Sequence, residues 1–261
     1  MSCDNVRNGF WAKGKTAVVT DGKYRTSIAA VRALGRAGCR VVVTQTREDC
    51  GYEPPVFSSR FTAEKVWIEG STADEAYVER LLSVVEEYER PVLFCVGAAT
   101  LNAVSGARER FAAVSDFLVA PQQVLDALND KETVHRRCME LNIPVPRQYD
   151  GEPEAYPVVI KPHCGEKFGL KAAERYAVAG NREEYEKHLT RMRVYDPTPI
   201  VQQKVEGDGM GVSLLMDDDG RLISAVCHRR IREYPASGGP STCCESFYDA
   251  DMIAVRKPRT F

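Results

Sequence analysis

Residues 157–169 read Pro157-Val158-Val159-Ile160-Lys161-Pro162-His163-Cys164-Gly165-Glu166-Lys167-Phe168-Gly169. A β-branched run closed by a lysine, then a proline and a glycine loop, predicts a buried strand that ends over a cleft. A compact ammonium in that position suits phosphate oxygens, which makes Lys161 the strongest single candidate for contact with a ligand. His163 and Cys164 lie beside it. Two adjacent residues without further ligands at useful spacing read as loop packing rather than as a metal or nucleophile site.

Working downstream, Arg175–Ala179 is strand-like. Asn181 then opens a helix with Glu183 and Glu184 in its first turn and Lys187, Arg191 and Arg193 toward its end, the charge order that the helix dipole favours. After that helix comes the strand Ile200–Val205, ended by Gln202-Gln203-Lys204-Val205-Glu206-Gly207-Asp208. A glycine flanked by two acids at a strand end offers backbone groups to an adenine and a carboxylate, Asp208, to a ribose; a turn entering a hairpin explains the same letters. That hairpin is GVSLLMDDDGRLISAVCHRR, two strands around an acidic glycine turn. It runs into HRRIREYPASGGPST at 228–242, where Arg229, Arg230 and Arg232 have the forked geometry to hold a carboxylate or phosphate. A solvated basic edge strand is the competing reading of those arginines.

Upstream, VLDALNDKETVHRRCMELNIPVP reads as a helix, a break at Asn129 and a second helix that ends before Pro144, with Asn129 and Glu132 as a capping pair. Lys131 stands in the first turn of the second helix. A cation there opposes the dipole at a cost of roughly 0.3–1 kcal/mol, which a phosphate would remove; taken alone, the small cost favours the reading of a simply solvated lysine. Before residue 121 the pattern is different. The strand Thr16–Thr20, a helix with Ile28, Val31, Leu34 and Ala37 on one face, Gly38, and the strand Arg40–Gln45 form one βαβ unit. A short strand at Val66–Ile68, an amphipathic helix at about 72–88 and the strand Pro91–Val96 extend it. The first βα turn, Thr20-Asp21-Gly22-Lys23-Tyr24-Arg25, has one glycine and no G-x-G-x-x-G, which disfavours a nicotinamide enzyme. There Asp21 and Gly22 read as makers of the turn, with the helix start and Arg25 as the groups able to meet an anionic substrate.

The whole chain has 261 residues, 44% hydrophobic and 28% charged, a globular composition whose length allows either one large α/β unit or two to three compact modules. With 35 Lys and Arg against 37 Asp and Glu, the net charge of -2 supplies no field to gather nucleic acid. No apolar run reaches the length of a membrane span and the N-terminus lacks a signal-peptide core, so a cytoplasmic protein is expected. The nine cysteines are an odd number without a C-x-x-C pair, and read as small buried hydrophobes.

Taken in order, a Rossmann-like module, Asp130-Lys131 opening a helix that ends in IPVP, VVIKP with a glycine loop, QQKVEGDGMGVS and HRRIREYPASGGPST resemble the ATP-grasp superfamily, near its carboxylate-amine ligase and carbamoyl-phosphate-synthase-like branch. The resemblance spans roughly residues 16–248. It implies an α/β fold: a Rossmann-like pre-ATP-grasp domain over 1–120, then an incomplete α+β ATP-grasp domain over 121–261, with a small lobe at about 121–205 and the start of a large lobe at 206–261. It further implies that ATP lies between two lobes, with Lys131 and Lys161 on its phosphates, Gly165 in the covering loop, Gln202, Gln203 and Val205 along the adenine, and Asp208 at the ribose. Arg230 and Arg232 would act on the carboxylate, whose acyl-phosphate an amine then attacks. Magnesium is expected with the nucleotide. In the family its ligands are a Glu and a Glu-x-Asn beyond the glycine loop, whereas only Glu245, Asp249 and Asp251 are acidic between Ser241 and Phe261, and none forms that motif. A non-catalytic nucleotide-binding or assembly module that needs a partner chain, or a homo-oligomer, is the alternative expectation.

Overall fold

Continuous apolar runs such as residues 17–19 and 41–43 put buried side chains on both faces of a sheet and require cover on each, and the first half of the chain meets that need with a doubly wound arrangement. A computed structural model describes residues 12–164, 170, 174–217, 219–234 and 241–254. They divide into two compact units, 1–128 and 129–261.

In the first unit, β1 (Thr16–Val19), β2 (Arg40–Thr46), β3 (Thr62–Ile68), β4 (Val92–Phe94) and β5 (Asp116–Phe117) form a parallel sheet in the order β3-β2-β1-β4-β5. Val18, Val42 and Leu93 point to one face, where Tyr77, Leu81 and Val85 of α2 (Tyr77–Glu86) cover them together with Val104 and Phe111. Val19, Val41 and Val43 point to the other face, against Val31 of α1 (Arg25–Arg36) and Phe57. Each such side chain, fully buried, contributes roughly 1.5–3 kcal/mol of hydrophobic stabilisation. Beyond β4 the chain forms α3 (Ala98–Gly106) and α4 (Arg108–Val114). The helix expected at about 72–88 begins only at Tyr77, because Asp74 and Asp49 accept hydrogen bonds from Ser71 and Thr72 and hold residues 71–76 in turns.

After α5 (Gln122–Asn129), the second unit begins with α6 (Lys131–Glu140). Its cap is Asp130, whose Oδ1 accepts from the Thr133 N–H at 2.6 Å, one residue later than the expected Asn129–Glu132 pair. A three-stranded antiparallel sheet follows, in the order β7-β6-β8: β6 (Val158–Lys161), β7 (Ala177–Ala179) and β8 (Ile200–Gln203). Tyr185 and Met192 of α7 (Arg182–Arg193) bury Val158, Ile160, Ala179 and Val201 on one face. Asn181 caps α7, its side chain accepting from the Glu184 N–H at 3.0 Å. A second antiparallel sheet joins β9 (Met210–Met216), β10 (Leu222–Glu233) and β11 (Ser241–Phe247) in the order β11-β10-β9, with α8 (Ala250–Ala254) against β10. No helix among the described residues is long and apolar enough to cross a membrane.

Candidate functional site

Strand alternation decides where Lys161 points. Val158 and Ile160 belong to the core under α7, so Val159 and Lys161 face the opposite side of β6. Across the ladder Val159 pairs with Gln202 and Lys161 with Ile200, which brings Gln202 onto the face of Lys161 and sends Gln203 to the other. Gln202 is buried, at 6% exposure. The Gln203 N–H is committed to the Arg147 carbonyl at 2.8 Å. Val205 is exposed beyond the end of β8, after the Lys204 N–H closes on the Pro157 carbonyl at 3.1 Å. Gly165 lies outside the described residues.

Lys131, first residue of α6, is brought to the end of β6. Its Nζ donates to the His163 carbonyl at 3.0 Å, and its backbone N–H approaches the same oxygen at 3.3 Å. The two lysines feel each other: burial first, and then the Lys131 charge, push the Lys161 ammonium below its ordinary pKa. A half-buried ammonium beside a second cation favours an anionic ligand.

His163 is more than loop packing. Its Nε2 lies 2.7 Å from Glu132 Oε2 and its Nδ1 2.8 Å from Asp196 Oδ2, while its backbone N–H donates to that same Asp196 oxygen at 2.8 Å. Asp196, which the sequence reading did not single out, is buried at 5% exposure, and its Oδ1 accepts from the Thr198 N–H at 3.1 Å. The order Asp196-Pro197-Thr198, able to form an Asx turn, was the available signal.

The arginines form a second group. Asp208, Gly209, Arg230, Arg232, Glu233 and Tyr234 line a cleft of about 630 Å3. A β-bulge lies at this point of β10: Arg230 pairs with Cys244 and Arg232 with Cys243, so two residue steps on β10 match one on β11. Arg230 Nη1 is 3.1 Å from Glu233 Oε1, and its backbone N–H donates to the Gly209 carbonyl at 2.7 Å. Asp208 therefore neighbours the arginines, while Lys131 and Lys161 sit together at the end of β6.

Among the described residues no group of three or more His, Cys, Asp or Glu is placed to hold a metal ion. Of the acids near the C-terminus, Asp249 accepts from the Met252 N–H at 2.9 Å, and Glu245 lies 3.5 Å from Arg229. This donor set does not fit a magnesium cage built from this chain's described side chains.

In the first unit the crevice between β1 and β4, where a doubly wound sheet takes its ligands, holds a side chain of the chain itself. Asp21, with φ +57°, turns its carboxylate inward. Its Oδ2 accepts from Thr20 Oγ1 at 2.5 Å and from the Gly97 N–H at 2.8 Å, and its Oδ1 accepts from Thr100 Oγ1 at 2.9 Å. Asp21 thus does more than make a turn: it places a negative charge at the N-terminus of α3, the position a phosphate takes in a dinucleotide site.

In fold the chain is similar to solved ATP-grasp enzymes. The likeness is to biotin carboxylase from Campylobacter jejuni, solved with β,γ-ATP (TM-score 0.63, 14% identity, 86% of this chain and 53% of that one). It extends to the biotin carboxylase domain of 2-oxoglutarate carboxylase from Hydrogenobacter thermophilus, solved with MgADP, ADP and bicarbonate (0.60, 13%, 86% and 52%). D-alanine–D-alanine ligase from Bacillus anthracis also matches (0.50, 13%, 90% and 71%). The chain spans about half the length of the carboxylase structures it matches. No family model matches the sequence. No curated protein matches it significantly.

Proposed function

We propose that this chain binds ATP through Lys131 and Lys161 as the nucleotide-binding part of an ATP-dependent carboxylate-amine ligase. Residues 1–120 serve as the preceding domain and 121–261 as the ATP-grasp domain. The observation that carries this reading is the pairing of two lysines, from α6 and β6, at one strand end, with the ammonium of Lys161 half-buried and pushed down by burial and by its neighbour. Phosphate oxygens would accept from both, offset their repulsion and relieve the burial cost of Lys161. Gln202, on the same face as Lys161, lies toward the adenine, with backbone groups of Gln203 and Val205 beyond it. Asp208 takes the ribose. Arg230 and Arg232 hold the small carboxylate, where their charges favour its approach to a phosphoryl group and the negative charge that develops on transfer. Magnesium arrives as the nucleotide's counter-ion.

Calorimetric titration with a non-hydrolysable ATP analogue, with and without magnesium, tests the reading. Saturable binding that falls at least about tenfold in both Lys131→Ala and Lys161→Ala is expected. Binding unaltered by either substitution refutes it.

A second reading, an assembly module completed by another chain, is favoured by the sheet of β9 to β11, on which Leu215, Ile223, Val226 and Ile231 are exposed. Light scattering distinguishes the two, since a monomer across the micromolar range counts against assembly.

A further inference from the structure

Three segments meet at one imidazole. His163 follows Lys161 by two residues and its carbonyl receives Lys131 Nζ; its ring reaches Glu132 in the first turn of α6 and Asp196 in the connection from α7 to β8. We propose that His163, by bridging Glu132 and Asp196, is the positioning residue that sets Lys131 and the end of β6 for the phosphates, an assignment that rests on the nucleotide-binding reading and adds a control to that site.

The chemistry of the bridge makes it sensitive to protons. Ionised carboxylates only accept, so a ring that bonds to Glu132 and Asp196 at once must donate from both nitrogens, and only the protonated ring does so. Loss of one proton leaves a nitrogen lone pair facing a carboxylate oxygen, and one of the two ties is lost. Besides these acids, the charged groups around the ring are Asp130 at the cap of α6, Lys131 on the His163 carbonyl, and Asp150 and Arg193, which line the same cleft of about 270 Å3. Burial alone would push the His163 pKa down, but the hydrogen bonds and charges of Asp196 and Glu132 prevail and raise it above the ordinary value. The bridge is therefore complete below about pH 6.5 and is lost as pH rises through the raised folded-state value. A histidine that only packed the loop would affect stability without linking the nucleotide to that proton.

The test is calorimetry on the intact chain with a non-hydrolysable ATP analogue from about pH 6 to about pH 9, comparing the unaltered protein with His163→Ala, Glu132→Gln and Lys131→Ala. Titration of the phosphates themselves is common to all four and cancels in the affinity ratios. The ratio of unaltered protein to His163→Ala is expected to be about tenfold at low pH and to approach one at high pH. Glu132, whose side chain is 58% exposed, can be changed without threatening the fold. Its Gln variant is expected to move the loss of affinity to lower pH, in step with the His163 ring signals followed by NMR. If Lys131→Ala weakens binding while His163→Ala and Glu132→Gln keep the affinity and pH profile of the unaltered protein, the positioning role is overturned and the nucleotide reading stands. If Lys131→Ala binds like the unaltered protein, the nucleotide reading fails and the positioning role fails with it.

Discussion

Replacing Asp21 by alanine should destabilise the first unit by about 3 kcal/mol, while asparagine should cost about 1 kcal/mol or less. The difference follows from the donors that converge on the carboxylate. Alanine removes both oxygens and leaves the Gly97 N–H, the Thr20 hydroxyl and the Thr100 hydroxyl without their acceptor in a crevice where Thr20 and Thr100 have no exposed surface. Each buried donor left unsatisfied costs roughly 1–3 kcal/mol, reduced where a hydroxyl turns to another acceptor or a water enters. Residue 21 also has φ +57°, a left-handed conformation that Asp and Asn tolerate better than Ala, by roughly 1 kcal/mol.

Asparagine keeps that backbone tolerance and one oxygen for Gly97. Its amide nitrogen then faces Thr100, whose hydroxyl can reverse and donate to the Tyr77 hydroxyl 2.9 Å away. Urea unfolding followed by the fluorescence of Trp67, which packs in the first unit, measures both variants. Equal costs for alanine and asparagine, or an alanine cost under about 1 kcal/mol, would refute the view that Asp21 is an internal anion held by converging donors.

The same assay checks two further expectations. Gly35→Ala, ordinarily a gain of about 1 kcal/mol within a helix, should instead lose about 1–3 kcal/mol, because an added Cβ would stand 2.5 Å from Phe61 Cδ1; a stabilised variant would contradict this contact. Asp49 is pushed up by burial, yet hydrogen bonds from Thr46, Thr72 and Ser71 prevail and hold its pKa at about 2. A depressed carboxylate contributes stability that is present above its unfolded value near 4 and is lost as pH falls toward 2, so Asp49→Asn, with solvent screening reducing the full linkage figure, should cost about 1 kcal/mol at neutral pH and almost nothing near pH 2. A cost independent of pH would show that the carboxylate charge is not what matters.

Where burial follows a simple period, the sequence was transparent. The strands at Thr16–Val19 and Arg40–Thr46, the helix between them, the strand ending at Lys161 and the helix capped by Asn181 all lie close to their expected positions. Residues 98–117 gave no signal: α3 is too uniformly apolar and small to show an amphipathic period, and β5 has only two residues. Strand β11, Ser-Thr-Cys-Cys-Glu-Ser-Phe, has no apolar alternation because little of it is buried. The bridge at His163 was illegible for another reason: Glu132 and Asp196 are 31 and 33 residues away in the chain, and only the fold of the second unit brings them to one ring.

Polar groups wholly or partly withdrawn from water make two opposite demands on stability, and this separates structure from function. Asp21 and Asp49 are surrounded by donors, so their removal should weaken the fold. Lys161 is the reverse: burial and then Lys131 lower its pKa, which means that the folded chain disfavours its charge. Lys161→Met keeps the long side chain on the face opposite α7 and removes the ammonium, so it should stabilise the unliganded chain by about 1 kcal/mol. The sign with pH follows from the depressed value: the gain is largest where the lysine is charged, below its folded pKa, and shrinks as pH rises through it. The same variant should bind the ATP analogue at least about tenfold more weakly. A lysine retained for the fold would lose stability on replacement, whereas a lysine retained for phosphate gains stability and loses binding. Thermal unfolding and calorimetry of this one variant decide between them: a destabilised protein with unchanged nucleotide affinity would make Lys161 a structural residue and remove the observation on which ATP binding rests.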